Sequence, residues 1–346
     1  MSPTIPETRV LAVASHVVSG YVGNKIAVFV LQALGCDVAA LNTVQFSNHT
    51  GYRQFKGTRT TAQEITDLYD GLRQSYLDDF DMMLSGYIPG AEAVAAVGKI
   101  AKELKEKYQN SPGRFFWVLD PVMGDNGRLY VADEVVPAYK ALVPYADLIL
   151  PNQFEAEQLS EVKITDLKSL AQAIQALHDK YHVPHVVITS VTLSAPESHL
   201  SVVGSTMTST GKARLFKIVF PAIKCYFSGT GDMFGALMVV RLREAVGEAG
   251  LTGRPSWLSD DGVAPTELPL AKAARKVLAS MHEVLARTAE GMARVVERTE
   301  KEIGGEGQID EKRAHLVKSK AAELQLVRNL SCLQAPEVDF EVVALD

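Results

Sequence analysis

Along this chain, short runs of consecutive apolar residues alternate with longer segments whose apolar residues recur every three or four positions. The run "RVLAVASHVV" (9–18) ends near Gly20 and predicts a buried first strand. "NKIAVFVLQALG" has helical length and stops at Gly35, a natural helix end. "CDVAALNTVQF" predicts a second strand. "TTAQEITDLYDGLRQSYL" is amphipathic, with Thr60 or Thr61 as its cap. "FDMMLSGYI" is a strand and turn. "GAEAVAAVGKIAKELKEKYQ" is a helix with lysines gathered at its end, where they suit the dipole. "FFWVLDPV", "ADLILPN" and "HVVITS" are further strands, with the helix "SLAQAIQALHDKY" before the last. Strand–helix alternation with near-continuous apolar strands predicts an α/β fold, a mostly parallel sheet covered on both faces. Polar residues fall just past the strands: Ser15, Thr50, Tyr87, Asp120, Asn152 and Thr189. Open α/β sheets bind ligands outside the carboxyl ends of their strands.

The rhythm breaks at 247–269, "GEAGLTGRPSWLSDDGVAPTELP", whose Gly, Pro, Asp and Ser predict a surface loop or insertion. Beyond it, 270–296 and 311–330 are expected to be helical, joined by a flexible "GGEGQ" at 304–308. "VDFEVVAL" is expected as a last edge strand. Chain length is compatible with one domain spanning 1–346.

A formal net charge of −6 argues against nucleic acid, whose backbone calls for a basic surface. No polybasic run marks a membrane patch, and no stretch of about 18 apolar residues predicts a span. The three cysteines, Cys36, Cys225 and Cys332, are scattered, without the spacing of a zinc site. Reduced thiols in a cytoplasmic protein without a signal peptide are the expectation.

The chemistry gathers in a few motifs. In "FSGTGDMF", Gly229 and Gly231 allow a tight turn and a close ligand approach. The amides at the start of the following helix favour an anion. A phosphate loop usually carries Lys after its last Gly, whereas here Asp232 follows. Asp232 is either a helix cap or a general base taking a proton from a hydroxyl that attacks phosphorus, and the two are compatible. In "DPVMGD", Asp120 and Asp125 lie five apart across Pro and Gly. They form either a strand-end turn or a carboxylate pair suited to Mg²⁺. "PNQFEAE" sets Asn152 and Glu155 three apart, the spacing of a capping box or of a residue holding a metal-bound water. Crowding Asp120, Asp125 and Glu155 together favours a bound cation. His16 and His49 are expected to be hydrogen-bonding partners in turn-rich loops, while Ser15 and Thr50 offer hydroxyls to a polar ring.

"SHVVSGYVGN", "NTVQFSNHTGY", "LSGYI", "DPVMGD", "LPNQFEAE", "VVITS" and "FSGTGDMF" occur here in the order seen in pyridoxal kinases of the ribokinase-like superfamily. The resemblance covers about 9–240 well and continues more faintly to the end. It implies a three-layer ribokinase-like fold, a homodimer, and ATP with Mg²⁺ and K⁺. The implied acceptor is pyridoxal, pyridoxine or pyridoxamine. By the same resemblance Asp232 is the base for the 5′-hydroxyl, and Gly229, Thr230 and Gly231 supply the anion hole. Ser15 and Thr50 would bind the pyridine ring, walled by Val22, Phe46 and Tyr87. Asp125, Asn152 and Glu155 would face Mg-ATP. Asp120 and Thr189 mark a monovalent-cation neighbourhood and Ser190 a nucleotide contact. Tyr130 belongs to a flap over ATP, and Ile223, Lys224 and Cys225 edge the adenine site. Three features depart from the pattern. Leu150 stands where relatives often carry Thr, so only its carbonyl could serve a cation. The 124–130 stretch is shorter than in the animal enzymes. Nothing in the family pattern matches 247–269.

The alternatives are a hydroxymethylpyrimidine kinase, which shares GTGD but is not expected to carry "VQFSNHTGY", and a non-catalytic B6 binder, which would not need Asp232, Asp125 and Glu155. A dinucleotide oxidoreductase is disfavoured because the glycine motif lies late and outside an early GxGxxG context.

Overall fold

The apolar runs pair into one sheet. A computed structural model describes residues 5–191, 198–303 and 310–345. Its strands are β1 (Arg9–Val17), β2 (Asp37–Phe46), β3 (Gly57–Arg59), β4 (Met82–Ser85), β5 (Phe116–Leu119), a small hairpin of β6 (Gly124–Asp125) and β7 (Arg128–Leu129), β8 (Leu148–Ile149), β9 (His185–Val191), β10 (His199–Met207), β11 (Ala213–Pro221) and β12 (Val342–Ala344). Outside the hairpin they order as β12-β11-β10-β9-β8-β5-β4-β1-β2-β3. The central six, from β9 to β2, run parallel. The antiparallel strands are confined to the two flanks.

Alternate residues of the central strands feed two cores. Val10 and Ala12, Met82 and Leu84, and Phe116 and Val118 face one side. Leu11 and Val13, Met83, and Trp117 and Leu119 face the other. This period of two inside an unbroken apolar run is what a sheet buried on both faces requires. The first side is covered by helices α1 (Asn24–Ala33), α7 (Thr230–Glu248) and α8 (Pro269–Ile303). The second is covered by α2 (Ala62–Gln74), α3 (Ala91–Lys107), α4 (Val135–Lys140), α5 (Gln153–Ser160) and α6 (Leu167–Tyr181). Helix α7 is buried continuously from Met233 to Leu242 because α1 and α8 flank it over the sheet. That explains its unbroken apolar stretch. Thr61 does cap α2, in a full capping box with Glu64.

Several expectations need correction. Segment 251–268 is not a plain surface loop. Trp257 is buried and stacks on Phe116, ring centroids 4.0 Å apart and planes 11° from parallel. Its Nε1 donates to the Gly113 carbonyl at 3.0 Å. Ser256 donates to Asp147 at 2.7 Å and its carbonyl meets His185 Nε2 at 2.8 Å. Phe116, Asp147 and His185 lie where β5, β8 and β9 begin, so the segment closes the amino ends of these strands, away from the expected nucleotide site. The helix expected over 311–330 breaks into α9 (Glu311–Ala321) and α10 (Leu330–Gln334), since Leu324 and Leu326 between them turn into the core. Helix α8 outruns its expected end at 296. The edge strand near the end forms as β12, and the joint at 304–308 lies outside the described residues.

Candidate active site

The carboxyl ends of the parallel strands open into a cleft of about 680 Å³, within the usual range for small-molecule sites. It gathers residues from across the chain. Ser15, Val22, Phe46, Thr50 and Tyr87 line one end, and Asp120, Asp125, Tyr130, Asn152, Glu155, Thr189 and Ser190 the other. Gly229, Thr230, Gly231 and Asp232 lie on the same wall. Ile223, Lys224 and Cys225 do not line it. They lead into Tyr226, Phe227 and Ser228, which do.

The glycine turn is built by close approach. Gly229 has φ +85°, and a Cβ there would sit 2.5 Å from the Tyr21 carbonyl oxygen and 2.6 Å from Ile26 Cδ1. Helix α7 starts directly after it, with Gly229 as the cap residue and no side chain capping. Asp232 is therefore the third residue of the helix and not its cap, which corrects the capping reading. Its charge still suits the positive end of the helix. The first intrahelical bond runs from the Met233 N–H to the Gly229 carbonyl at 3.0 Å. The amides of Gly229 through Asp232 precede that ladder, in the position from which helix starts hold anions.

Asp232 borders the cleft beside Gly86, whose hypothetical Cβ would lie 3.5 Å from Asp232 Oδ1. Burial pushes its carboxyl up to about 6, opposed by a hydrogen bond from the Gly23 N–H. Asp120 faces the turn, its Oδ2 3.6 Å from where a Gly231 Cβ would be. Burial, then the charges of Glu155 and Asp232, hold Asp120 well above the usual carboxylate range.

Glu155 completes a capping box with Asn152, as the spacing alone suggested. Asn152 Oδ1 accepts from the Glu155 N–H at 2.9 Å, and Glu155 Oε2 accepts from the Asn152 N–H at 2.9 Å. Glu155 Oε1 also accepts from the Met123 N–H at 2.8 Å. Burial still raises Glu155 against these bonds. Asp125 accepts from the Asn126 N–H at 2.7 Å and the Asn126 side chain at 3.0 Å. It sits on the β6–β7 hairpin, which is followed by Tyr130, an exposed residue beside Tyr226.

Among the described residues no group of three or more His, Cys, Asp or Glu side chains is arranged to hold a metal. Asp120, Asp125 and Glu155 are thus not an all-protein cage. A divalent ion such as Mg²⁺ would have to take one or two of these carboxylates and complete its shell with phosphate and water. Arg59 is the sole Lys or Arg among the described lining residues. A polyphosphate here would have little side-chain cation to balance it, and the raised carboxylates would be relieved by a bound cation.

Arg59, Phe55 and Tyr226 also line the cleft, outside every sequence motif that points to it. Phe55 and Arg59 sit on and before a three-residue exposed strand with no pattern to mark it. His49 lines the cleft but points Nε2 at Glu323, 3.2 Å away.

Comparison with known proteins follows the same lines. Residues 39–247 match a profile of the phosphomethylpyrimidine kinase family. A putative pyridoxal kinase of Schizosaccharomyces pombe is 39% identical over 82% of this chain and 86% of its own. The pyridoxal kinase of Ovis aries is 35% identical over 98% of this chain and 99% of its own. The Leishmania donovani pyridoxal kinase, solved with ADP and pyridoxamine, superposes with a TM-score of 0.78 at 33% identity, covering 98% of this chain and all of the other. A parallel sheet with its cleft at the strand ends, a GTGD turn starting a buried helix, and end-to-end similarity at this level place the chain in the pyridoxal kinase family.

Proposed function

We propose that this chain transfers the γ-phosphoryl group of ATP to the 5′-hydroxyl of pyridoxal, pyridoxine or pyridoxamine, giving the 5′-phosphate and ADP. The observation that carries the reading is Asp232 at the mouth of an amide-lined glycine turn, with an apolar-walled pocket on one side and a carboxylate-rich wall on the other. The acceptor lies against Val22, Phe46 and Tyr87, its ring within reach of Ser15 and Thr50. The nucleotide occupies the Asn152, Ser190 and Tyr130 end.

The alcohol oxygen attacks the γ-phosphorus, its proton passes to the Asp232 carboxylate, and the bond to the bridging oxygen of ADP breaks. The Gly229–Asp232 amides hold the phosphoryl oxygens as charge spreads over them. Mg²⁺, held through phosphate and the Asp120, Asp125 and Glu155 neighbourhood, supplies charge neutralisation when bound. A K⁺ site near Asp120 and Thr189 would use the Leu150 carbonyl. A homodimer and a cytoplasmic location belong to the same proposal. Among the described residues no helix is long and apolar enough to cross a membrane.

Parallel assays of ADP release with pyridoxal and with hydroxymethylpyrimidine test the acceptor. The reading predicts faster turnover with pyridoxal. Preference for the pyrimidine would overturn it in favour of the sibling activity.

A further inference from the structure

Two loops build the acceptor end of the cleft. The first follows β1 and carries Tyr21 and Val22, with the Tyr21 carbonyl against the Gly229 turn. The second follows β2 and carries His49, Thr50 and Gly51. The second loop is braced internally, with Asn48 Nδ2 donating to the Gln54 carbonyl at 2.7 Å, and the Ser19 N–H ties the first loop to the Ser47 carbonyl at 3.0 Å. Both converge on one carboxylate from the far end of the chain. Glu323 Oε2 accepts from the Tyr21 N–H at 2.9 Å, across 302 residues of sequence. Glu323 Oε1 accepts from the Tyr52 hydroxyl at 3.0 Å and faces His49 Nε2 at 3.2 Å. A carboxylate only accepts, so His49 carries its proton on Nε2 there. On α9, His315 Nε2 donates to the Gly51 carbonyl at 2.8 Å. Gly20 has φ +96°, and the Glu323 carboxylate occupies the place a side chain would take.

We infer that Glu323 is a positioning residue that clamps the two acceptor loops to each other and so sets the placement of Thr50, Val22 and the glycine turn that precedes Asp232. Glu323 does not line the cleft and touches no reacting atom. Its influence runs through Tyr21 to the glycine turn, because the Tyr21 carbonyl packs against Gly229. It runs through His49 and Tyr52 to Thr50. A chain-terminal segment thereby completes a site otherwise built from the first 232 residues. The nucleotide end, formed by Asn152, Glu155, Ser190 and Tyr130, has no bond to this clamp among the described residues.

The inference rests on the proposed function for its kinetic arm and on geometry alone for a second arm. Kinetically, Glu323→Ala should raise the acceptor KM by about 10-fold or more and lower kcat, since misplacement of about 1 Å costs up to about 100-fold. The KM for MgATP should stay within about 2-fold, because that end is not clamped. Glu323→Gln keeps an acceptor for Tyr21 and turns an NH₂ toward the Tyr52 oxygen and toward His49, whose proton can move to the unpartnered Nδ1, so it should recover most of the loss. Glu323→Asp, one methylene shorter, should not. Equal rises in both KM values, or an unchanged acceptor KM in the Ala and Asp variants, would overturn the clamp. In the second arm, hydrogen exchange on substrate-free protein should quicken by about 10-fold at 21–23 and 49–52 in the Asp or Ala variant, since local opening sets exchange. Exchange at wild-type rates would also overturn it. If the wild-type protein phosphorylates no B6 vitamer, the functional reading fails by itself, and the exchange arm still decides whether Glu323 holds the loops.

Discussion

In the proposed base role Asp232 must be ionised to accept a proton, yet it sits where charge is disfavoured. Its carboxyl is raised from 3.8 to about 6, chiefly by burial. Two outcomes follow from that sign. A base is active when deprotonated, so kcat/KM should climb with pH through about 6 and then level off. The folded value lies above the unfolded one, so the carboxyl supports folding fully only below about 3.8 and loses that support as pH rises through about 6. Asp232→Asn should therefore stabilise the protein at pH 8, by at most about 3 kcal/mol, and hardly at all at pH 4. Denaturant melts at the two pH values measure this, and an equal effect at both would count against a strained ionised Asp232. The same variant should lose about 10²–10⁴ in kcat while binding ATP nearly as well, because only the proton transfer is removed. At this scale the sequence was informative about which groups gather, since Asp120 and Asn152 follow the ends of β5 and β8 and Asp125 and Glu155 stand a few residues beyond them. It was silent on whether Asp232 caps the helix, because a Gly–Thr–Gly–Asp string fits either helix start. Only the left-handed φ of Gly229 decides it. Glu323 was illegible for another reason: its partners lie 302 and 271 residues away, and no local pattern reports such a pairing.

Among elements, the start of α7 and the Trp257 segment make opposite predictions. Gly229 combines a left-handed φ with contact to Tyr21 and Ile26, so Gly229→Ala must move backbone. Strain of that kind costs about 1–3 kcal/mol, and the turn would shift enough to lower kcat sharply. Near-normal kcat in a folded Gly229→Ala protein would mean the turn does not hold the transferred group. Trp257 lies at the other end of the strands. Trp257→Ala should cost about 3–5 kcal/mol of stability, with both KM values within about 2-fold of wild type in the protein that remains folded. A selective rise in the MgATP KM would place the segment at the nucleotide site after all. The central strands were readable because burial on both faces leaves them almost wholly apolar. Strands β10 and β11 mix polar and apolar residues on a flank of the sheet, so no unbroken apolar run marks them. The Trp257 segment was misread because Gly, Pro, Asp and Ser dominate its composition while one aromatic ring decides its fate.

At the scale of the molecule, the sheet and its two helical layers bring residues between Ser15 and Asp232 to one cleft, and α9 with the turn after it reaches the loops of its acceptor side. The parallel order explains why polar residues scattered along the sequence converge, since each parallel strand delivers its carboxyl end to the same edge. The cleft has an apolar-walled end and a carboxylate-lined end, and the proposed reading gives the first to the ring and the second to cation-balanced phosphates. Such a division suits a kinase of small aromatic alcohols and gives Asp232 the boundary between the two. The most direct measurement is product identification after mixing the purified protein with pyridoxal and MgATP, alongside Asp232→Asn. Wild-type protein should yield pyridoxal 5′-phosphate and ADP in equal amounts, and the variant should form them about 10²–10⁴ times more slowly. No phosphorylated vitamer from the wild type, or equal rates from the two proteins, would contradict the account.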